Sequence, residues 1–375
     1  MKKLRIAQIA PPFIPVPPVG YGGTEAVVSA ITEELVARGH DVTLFASGDS
    51  QTSAKLVSVF DQSLNAERTE QLYSPLAYKL FWMHGLPYML HTAQAFDNAG
   101  EFDVIHDHTH YLSAFFAQHT KTPMVSTYHG SLQWASQSPI ERMILERYKN
   151  NNWIAISDAQ KRFSGVPLSF SAVIHHGISA DRFPFSDTST GSYAWLGRIT
   201  QQKGIQDAIE AAKALHKSLT VSGIVNARDQ QFYTDTIEPE FGANGITYAG
   251  PSDHTQKTDI LKTARALLYP VLWEEPFGLV MVESMACGTP VIAYARGAAP
   301  KIVQDGVTGF LVNSSAEDIR GDFITKKTGV DGLKEAMHHI DSMPPEAYTT
   351  MRTACRRHVE QHFTVGRMVD QYEQV

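Results

Sequence analysis

The strongest constraint on the fold is an alternation of short β-rich runs with amphipathic helical patterns, which starts again near the middle of the chain. In the first half the predicted strands are 4–10, 41–47, 102–108, 123–130 and 153–157, with a helix over 24–40. In the second half the predicted strands are 193–198, 219–225, 246–250, 266–271 and 289–294, with helices over 204–215 and 278–288. Strand–helix–strand repeats form parallel sheets with helices on both faces. The sequence therefore predicts an α/β protein with two doubly wound, Rossmann-like domains.

A division into two domains agrees with the length, because 375 residues exceed what one hydrophobic core usually organises. Residues 179–192 are rich in Ser, Thr, Asp and Gly, and we predict that they form the linker. The first domain is then 1–178, and the second begins at 193. Ligands of doubly wound sheets bind beyond the carboxyl ends of the strands, so two sheets that face each other predict a ligand site in a cleft.

The composition excludes several classes of protein. A net charge of −7 argues against a general nucleic-acid-binding protein, which would carry a basic surplus. Cys287 and Cys355 are the only cysteines and cannot form a disulfide framework, which fits a reducing compartment. The first apolar stretch contains Arg5 and ends at Pro11, which indicates a buried strand rather than a signal peptide. No run approaches the ~18–20 apolar residues of a membrane span. We therefore expect a cytoplasmic protein without a nucleic-acid partner.

A glycine-rich turn follows the first predicted strand. Gly20, Gly22 and Gly23 precede a helix for which Thr24 is the predicted N-cap. Such a turn lets backbone N–H groups approach an anion at the helix N-terminus. Glu25 stands where the last glycine of the dinucleotide fingerprint would be, so that fingerprint is not satisfied. The turn is a candidate anion site, and a purely structural turn is the alternative.

Two cations follow the first strand of the second domain. Arg198 ends the predicted strand 193–198, and Lys203 precedes the next helix, so both are expected at the carboxyl edge of the sheet. A guanidinium fork and an ammonium point charge together suit a diphosphate. Two solvated surface cations are the alternative.

Two glutamates bracket the start of a later helix. Glu275 and Glu283 are separated by seven residues that carry no charge. We place Glu275 in the loop before the helix 278–288, Pro276 in its first turn and Glu283 inside it. The helix N-terminus, with N–H groups from 277 to 280, would attract a phosphate or sugar hydroxyls. A glutamate can accept hydrogen bonds from two adjacent hydroxyls, as on a ribose or a pyranose.

These residues carry a family resemblance. The sequence "EPFGLVMVE", followed by "SMACGTPVIA", resembles the donor-site signature of family 4 of the retaining glycosyltransferases, which have the two-Rossmann GT-B fold. The segments "GYGGTE", "FDVIHDH", "STYHG", "GRITQQKG" and "DGVTGFLV" occur in the order of that family. The resemblance therefore covers nearly the whole chain.

The resemblance assigns roles to the charged residues of the second domain, 193–355, which would bind the nucleotide-sugar donor. Arg198 and Lys203 match the pair that binds the pyrophosphate. Glu283 matches the glutamate that holds the ribose. Glu275 matches the catalytic-site glutamate that positions sugar hydroxyls and helps the developing positive charge.

The resemblance also assigns backbone and first-domain contacts. The first domain would bind the acceptor, and the final helix, 356–375, would cross back to it. His129 resembles the histidine beside the transferred sugar and is the second catalytic candidate. The remaining candidates are backbone contacts to sugar and phosphates at Phe277, Gly278, Leu279, Gly22 and Gly23, and a nucleobase loop at Gly250 and Pro251. Where the family commonly has a glutamate, this chain has Lys301, so the hydrogen bond of that glutamate is not expected.

Three further stretches have alternative interpretations. His106, His108 and His110 alternate along a predicted strand and could in principle bind a metal. No further ligand set accompanies them, so we expect them to line the ligand site instead. The pair 175–176 is assigned to the hinge. The aromatic run 78–90 is assigned to helix packing, with a peripheral membrane contact as the alternative.

The sequence thus predicts a retaining glycosyltransferase that moves a hexose from a UDP- or GDP-sugar to a glycan, lipid or small-molecule acceptor. With two protein cations and a helix N-terminus to stabilise the diphosphate, no metal or other cofactor is required. A nucleotide-sugar epimerase or hydrolase and a non-catalytic sugar-binding protein are the alternatives. A nicotinamide-dependent oxidoreductase is disfavoured, because the glycine fingerprint is broken.

Overall fold

A computed structural model of the chain describes residues 2–64, 85–242 and 244–375. The chain divides into two compact units. The first unit consists of Met1–Gly177 and Val365–Val375, and the second of Ile178–Thr364. Residues 179–192, which the sequence assigned to a linker, belong to the second unit, where Ala180–Arg182 form one helical turn. Of the aromatic run 78–90, residues 78–84 lie outside the described residues.

The first unit contains a sheet of seven parallel strands in the order β3-β2-β1-β4-β5-β6-β7. The strands are β1 Arg5–Ile9, β2 Asp41–Phe45, β3 Lys55–Val57, β4 Val104–Asp107, β5 Met124–Thr127, β6 Asn152–Ala155 and β7 Phe170–Val173. Its first helices are α1 Gly23–Ala37, α2 Gly85–Asp97, α3 Ala114–Ala117, α4 Leu132–Gln137, α5 Pro139–Arg147 and α6 Asp158–Arg162. The N-cap of α1 is Gly22, so the prediction of Thr24 as the N-cap is wrong.

The second unit contains a sheet of six parallel strands in the order β10-β9-β8-β11-β12-β13. The strands are β8 Tyr193–Leu196, β9 Leu219–Ser222, β10 Ile246–Tyr248, β11 Leu267–Tyr269, β12 Val291–Tyr294 and β13 Gly309–Val312. The order reverses between β8 and β11, as it does between β1 and β4 in the first sheet, which is the doubly wound arrangement. The prediction of two parallel-sheet α/β domains is confirmed.

Helices pack around the second sheet. They are α7 Ile205–Ala214, α8 Gln230–Phe232, α9 His254–Thr263, α10 Leu279–Ala286, α11 Ala299–Ile302, α12 Gly329–Asp341 and α13 Pro345–His362. All four residues of β8 are buried, as expected for a parallel strand that is covered on both faces. Pro276 lies before α10 rather than in its first turn, because the helix begins at Leu279.

The C-terminal segment differs from the single helix predicted over 356–375. Helix α13 ends at His362 in the second unit, and α14 covers Val365–Tyr372 in the first. Within the first unit, Arg38 at the end of α1 donates to Asp370 at 2.7 Å and to the carbonyl oxygen of Gly366 at 2.9 Å. Charge-assisted hydrogen bonds therefore fasten α14 to α1. None of the helices described here is both long and apolar enough to cross a membrane.

Candidate active site

The predicted site residues of the second unit lie in the loops that follow β8 and β11. Arg198 stands two residues beyond the end of β8, with a half-buried side chain. Lys203 ends the helical turn Gln201–Lys203, and its Nζ forms an ion pair with Oε2 of Glu275. The Lys203 and Glu275 side chains are only 15% and 12% exposed. The structure therefore brings together a cation and a carboxylate that the sequence assigned separately to diphosphate and sugar.

The loop before α7 approaches the end of β11 closely. Gly204 has a φ of +67°, and a Cβ there would lie 1.7 Å from the carbonyl oxygen of Pro270. Only glycine fits this position, because an L side chain would be strained and would clash with the backbone. The Nζ of Lys203, the residue before Gly204, lies 5.3 Å from the ring centroid of Trp273 and 6.0 Å from that of Tyr269. Both rings are within the range of cation–π attraction, so they help to hold the ammonium in place.

Glu274, the neighbour of Glu275, has a role that the sequence analysis missed. Its Oε1 accepts from Arg320 at 2.7 Å and from Arg296 at 3.3 Å, and its Oε2 accepts from the backbone N–H of Gly297 at 2.8 Å. The side chain is nearly buried, so these charge-assisted bonds fix the loop that carries Glu275. The arginine partners lie 22 and 46 residues away, so no local pattern predicts them.

Glu283, the predicted ribose ligand, lies inside α10 and is also paired. Its Oε1 accepts from Nζ of Lys257 in α9 at 2.6 Å. Lys257 also lies over the ring of Phe183, with 5.7 Å to its centroid. Sequence reasoning missed Lys257, since it lies 26 residues from its partner in another helix. Burial raises the pKa of the nearby Cys287 thiol to about 12, with a contribution from the Glu283 charge, so this thiol is not ionised at neutral pH.

At the start of α10, the predicted ligand contacts can be made only by backbone groups. Gly278 precedes the helix, and Leu279 is its first residue. The first N–H groups of an α-helix have no intrahelical acceptor, so those of Leu279 and Val280 can bind an anion. The Phe277 side chain is 2% exposed and packs edge-to-face on Phe363, so only its backbone could contact a ligand.

The predicted nucleobase loop leads into the helix that carries Lys257. Gly250 lies two residues beyond β10, and its carbonyl oxygen accepts from Ser222 at 2.8 Å and from the N–H of Gly223 at 3.1 Å. Pro251 is exposed. The next residues reach Asp253, which caps α9 by accepting from the backbone N–H of Gln256. The loop is therefore tied to β9 and to α9.

In the first unit, the glycine turn is held by local packing. A Cβ on Gly22 would lie 2.7 Å from Cβ of Pro18 and 3.1 Å from Oε2 of Glu25. Gly23 is the first residue of α1. Glu25 is 6% exposed, and burial raises its pKa to about 7. Packing alone therefore requires glycine at position 22, in agreement with the structural alternative, while the N–H groups of the α1 N-terminus remain able to meet an anion.

His129 follows β5 and contacts other histidines. Its Nε2 lies 2.8 Å from Nδ1 of His108, and its ring stacks on that of His176 with centroids 5.1 Å apart. Burial, with a further contribution from His176, lowers the pKa of His129 well below its ordinary value. His176, which the sequence assigned to the hinge, is therefore a neighbour of a predicted site residue. No group of three or more histidine, cysteine or carboxylate side chains in the described part of the chain is placed to hold a metal ion.

Two doubly wound units in one chain, with charged side chains at the strand ends of the second, define the GT-B class of fold. Sucrose-phosphate synthase from Thermosynechococcus elongatus superposes with a TM-score of 0.77 at 21% identity, over 99% of this chain and 98% of that chain. Anabaena HepE, solved in complex with UDP and glucose, has a TM-score of 0.73 at 18% identity, over 99% and 98%. The predicted GT-B fold is confirmed.

Sequence comparison gives the family. The profile of Glycosyltransferase Family 4 matches residues 21–182, and that of Glycosyl transferases group 1 matches residues 186–325. The glycogen synthase of Mycobacterium tuberculosis is 26% identical over 346 residues, which are 81% of this chain and 81% of the synthase. The chain therefore belongs to family 4 of the glycosyltransferases and is an enzyme of that class, which confirms the predicted family and activity. The position where the family commonly has glutamate is occupied by Lys301, which is exposed on α11.

Proposed function

We propose that the enzyme transfers a hexose from a UDP- or GDP-sugar to a glycan, lipid or small-molecule acceptor, with retention of the anomeric configuration. The observation that supports this proposal is the pair of lysine–glutamate contacts on either side of the α10 N-terminus. Lys203 contacts Glu275 before the helix, and Lys257 contacts Glu283 inside it. UDP is the first nucleotide to test, because the GT-B enzyme HepE was solved with UDP and with UDP-glucose.

The proposed donor binding exchanges these ion pairs for substrate contacts. A diphosphate carries more negative charge than a carboxylate, so it would attract the Lys203 ammonium away from Glu275. Glu275 would then accept hydrogen bonds from the hydroxyls of the sugar. Glu283 would hold the ribose hydroxyls with its second carboxylate oxygen, while Lys257 keeps the first. The free enzyme therefore stores its site charges as neutral pairs.

The proposed chemistry depends on stabilising the departing diphosphate. Negative charge grows on its oxygens as the glycosidic bond breaks. Arg198, Lys203 and the N–H groups at the start of α10 would stabilise that charge. We propose that the protein groups suffice and that no metal is required. A turnover rate that falls to background in EDTA and returns with Mg²⁺ would contradict this point.

Retention is proposed to result from attack on the face from which the diphosphate leaves. A double displacement would need a carboxylate nucleophile beside the anomeric carbon, as in retaining glycosidases. In the proposed donor complex Glu275 accepts hydrogen bonds from the sugar hydroxyls instead, so it is not assigned as that nucleophile. Mass spectrometry of the enzyme quenched during turnover tests this step, and a trapped glycosyl adduct on any side chain would overturn it.

The first experiment is a thermal-shift panel of UDP-, GDP- and ADP-sugars, with and without Mg²⁺. A ligand that binds only the folded protein stabilises it by about 2.7 kcal/mol at 100 times its Kd, so a true donor should raise the melting temperature above that of its neighbours. The variant Lys203→Met should lose most of the rise in melting temperature that the donor causes. If no nucleotide sugar stabilises the protein but free glycans do, the binding-protein alternative would replace this proposal. Donor consumption without acceptor would favour the hydrolase.

A further inference from the structure

A chain of hydrogen-bonded side chains runs inward from His129 through the first unit. The Nε2 of His129 lies 2.8 Å from Nδ1 of His108. The Nε2 of His108 in turn lies 2.8 Å from Oε1 of Gln8, in the middle of β1. His129 is half-buried, whereas His108 and Gln8 have no exposed surface. A ligand can therefore touch the chain at His129 but not at the two residues behind it.

Beyond Gln8 the chain continues to the C-terminal helix. The Nε2 of Gln8 lies 3.3 Å from Nδ1 of His106, whose Nε2 lies 2.9 Å from Oγ1 of Thr127. The Thr127 hydroxyl lies 3.0 Å from that of Tyr372 in α14. Gln8 thus joins two histidines that lie two residues apart, His106 in β4 and His108 directly after it.

The histidines of the chain are neutral imidazoles. Burial lowers the pKa of His106 to about 3 and that of His108 well below its ordinary value, with neighbouring histidines lowering the latter further. A neutral imidazole donates at one ring nitrogen and accepts at the other. Each ring must therefore use one nitrogen for each purpose, and the choice at one ring dictates the choice at the next.

Gln8 decides which choice is made, because its amide has one end that only accepts and one that only donates. Its carbonyl oxygen faces His108, so His108 carries its hydrogen on Nε2 and accepts on Nδ1. The contact to that Nδ1 then requires the hydrogen of His129 on Nε2. On the other side, the amide nitrogen of Gln8 donates to Nδ1 of His106, which donates through Nε2 to Thr127. From His129 to Thr127, every hydrogen bond is therefore donated in one direction, towards α14.

The remaining nitrogen of His129 is then an acceptor. Its Nδ1 lies 3.4 Å from Nε2 of His176, a long contact compared with the 2.8 Å bond on the opposite side of the ring. A long hydrogen bond is weak, so the hydroxyl of a ligand could replace it with a shorter one.

We propose that Gln8 is a positioning residue for the reaction: by fixing the direction of the chain, it holds His129 in the Nε2–H tautomer, so that Nδ1 accepts a hydrogen bond from a hydroxyl of the bound substrate. The identity of the ligand rests on the proposed function, whereas the tautomer does not. A wrong tautomer would present an N–H where the hydroxyl needs an acceptor, and the contact would be lost.

The test is the ring ¹⁵N–¹H correlation spectrum of the full chain at pH 7, with His129 assigned by its absence in His129→Gln. We expect the hydrogen of His129 on Nε2. A hydrogen on Nδ1 would overturn the proposal and would mean that the amide of Gln8 is reversed and the chain runs outward. This measurement needs no substitution in the core.

Variants separate the role of Gln8 from simple packing. Gln8→Met fills the space but has neither end of the amide, so His129 should become a mixture of tautomers. The kcat of sugar transfer should fall by about ten-fold or more, while the KM for the nucleotide sugar changes by less than about three-fold. Thr127→Val is the matched control, since it cuts the chain on the inner side of Gln8 and should leave the His129 tautomer unchanged.

The outcomes are distinguishable from failure of the proposed function. If the wild-type enzyme shows no transfer with any nucleotide sugar, the proposed function fails. If the wild-type enzyme is active and folded Gln8→Met keeps both the single tautomer and the full kcat, the positioning role is overturned. A melting temperature that falls without a change of tautomer would likewise mean that Gln8 only supports packing.

Discussion

Glu275 and Lys203 neutralise each other beside Trp273, and this contact is the feature on which activity should depend most sharply. Replacing Glu275 by alanine leaves Lys203 free for the proposed diphosphate contact but removes the proposed acceptor for sugar hydroxyls. We expect kcat to fall by about 100-fold or more, as for other groups that act on developing charge. The Kd for the free nucleotide should change by less than about three-fold, below 1 kcal/mol. Steady-state rates and calorimetric titration measure the two quantities, and unchanged turnover would remove Glu275 from its role.

Lys257 is expected to prepare Glu283 for the ribose. In Lys257→Met the carboxylate loses its 2.6 Å partner and must be ordered when the nucleotide binds. Ordering one side chain costs about 0.5–1.5 kcal/mol, so the Kd for UDP should rise by about two- to ten-fold. Lys262→Met on the same helix is the matched control, because its exposed partner Asp259 faces solvent. Tighter UDP binding in Lys257→Met would instead mean that the lysine competes with the ribose.

Sequence reasoning located residues whose signal is local and missed those whose partners are remote. Glu275 and Glu283 are recognisable because their spacing is set within one loop and one helix. Glu274 and Gln8 carry no such signal, since their partners lie 46 and 100 residues away and meet them only through the strand order. The pairing of Lys203 with Glu275 follows equally from the topology, because β8 and β11 are neighbours in the sheet. The assigned roles in binding and catalysis stay predictions.

At the scale of elements, the interior strands of both sheets were predictable, whereas three of the four edge strands, β3, β7 and β13, were not recognised. The run 193–198 is recognisable as a strand because β8 is buried on both faces. β3 has three residues and β7 four, and neither is fully buried, so their hydrophobic runs are too weak to recognise. Predicted strands also continued past their carboxyl ends, as at 193–198, where β8 ends at Leu196. Thr24 is a good N-cap by type, yet the packing of Gly22 places the helix start earlier.

The attachment of α14 to α1 predicts a stability effect far from the site. Arg38 contacts Glu34, Asp370 and Glu373 and is only 21% exposed. In Arg38→Met these carboxylates lose their shared cation, so the free energy of unfolding of the first unit should fall by about 1–3 kcal/mol. The comparison is Arg142→Met, whose pair with Glu146 is about half exposed and should matter by less than about 0.5 kcal/mol. Urea unfolding followed by fluorescence measures both, and equal effects would contradict the attachment.

For the whole molecule, buried histidines predict that stability decreases in acid. Burial lowers the pKa of His91 and His110 to about 4 and that of His176 to about 3. Histidine in the unfolded chain has a pKa of about 6.5, so below that pH the unfolded chain binds protons that the folded chain does not. Stability is full above about pH 6.5 and falls as the pH drops towards 4, by up to about 1.4 kcal/mol per pH unit for each histidine.

Glu25 acts in the opposite direction, because its raised pKa of about 7 makes the folded chain hold a proton that the unfolded chain releases above about pH 4.5. One carboxyl offsets one histidine, so the histidines dominate. Unfolding in urea at pH 8, 7, 6 and 5 should show a plateau followed by a decline. His91→Gln keeps a donor for the carbonyl oxygen of Ala10. It should reduce the slope of the free energy of unfolding against pH by the equivalent of about one proton. A stability that is flat from pH 8 to 5 would contradict the neutral state of these histidines.

The first unit is composed of Met1–Gly177 and Val365–Val375, with the whole second unit between them. A ribosome that adds roughly 5–20 residues per second needs about 10–40 s to pass through Ile178–Thr364. During that time the nascent first unit has its sheet but not α14, and the surface of α1 that receives the helix stays open. The unit that is synthesised first is thus the last to be completed. Chaperone engagement during synthesis, and truncation within Val365–Val375, should therefore affect the first unit more than the second.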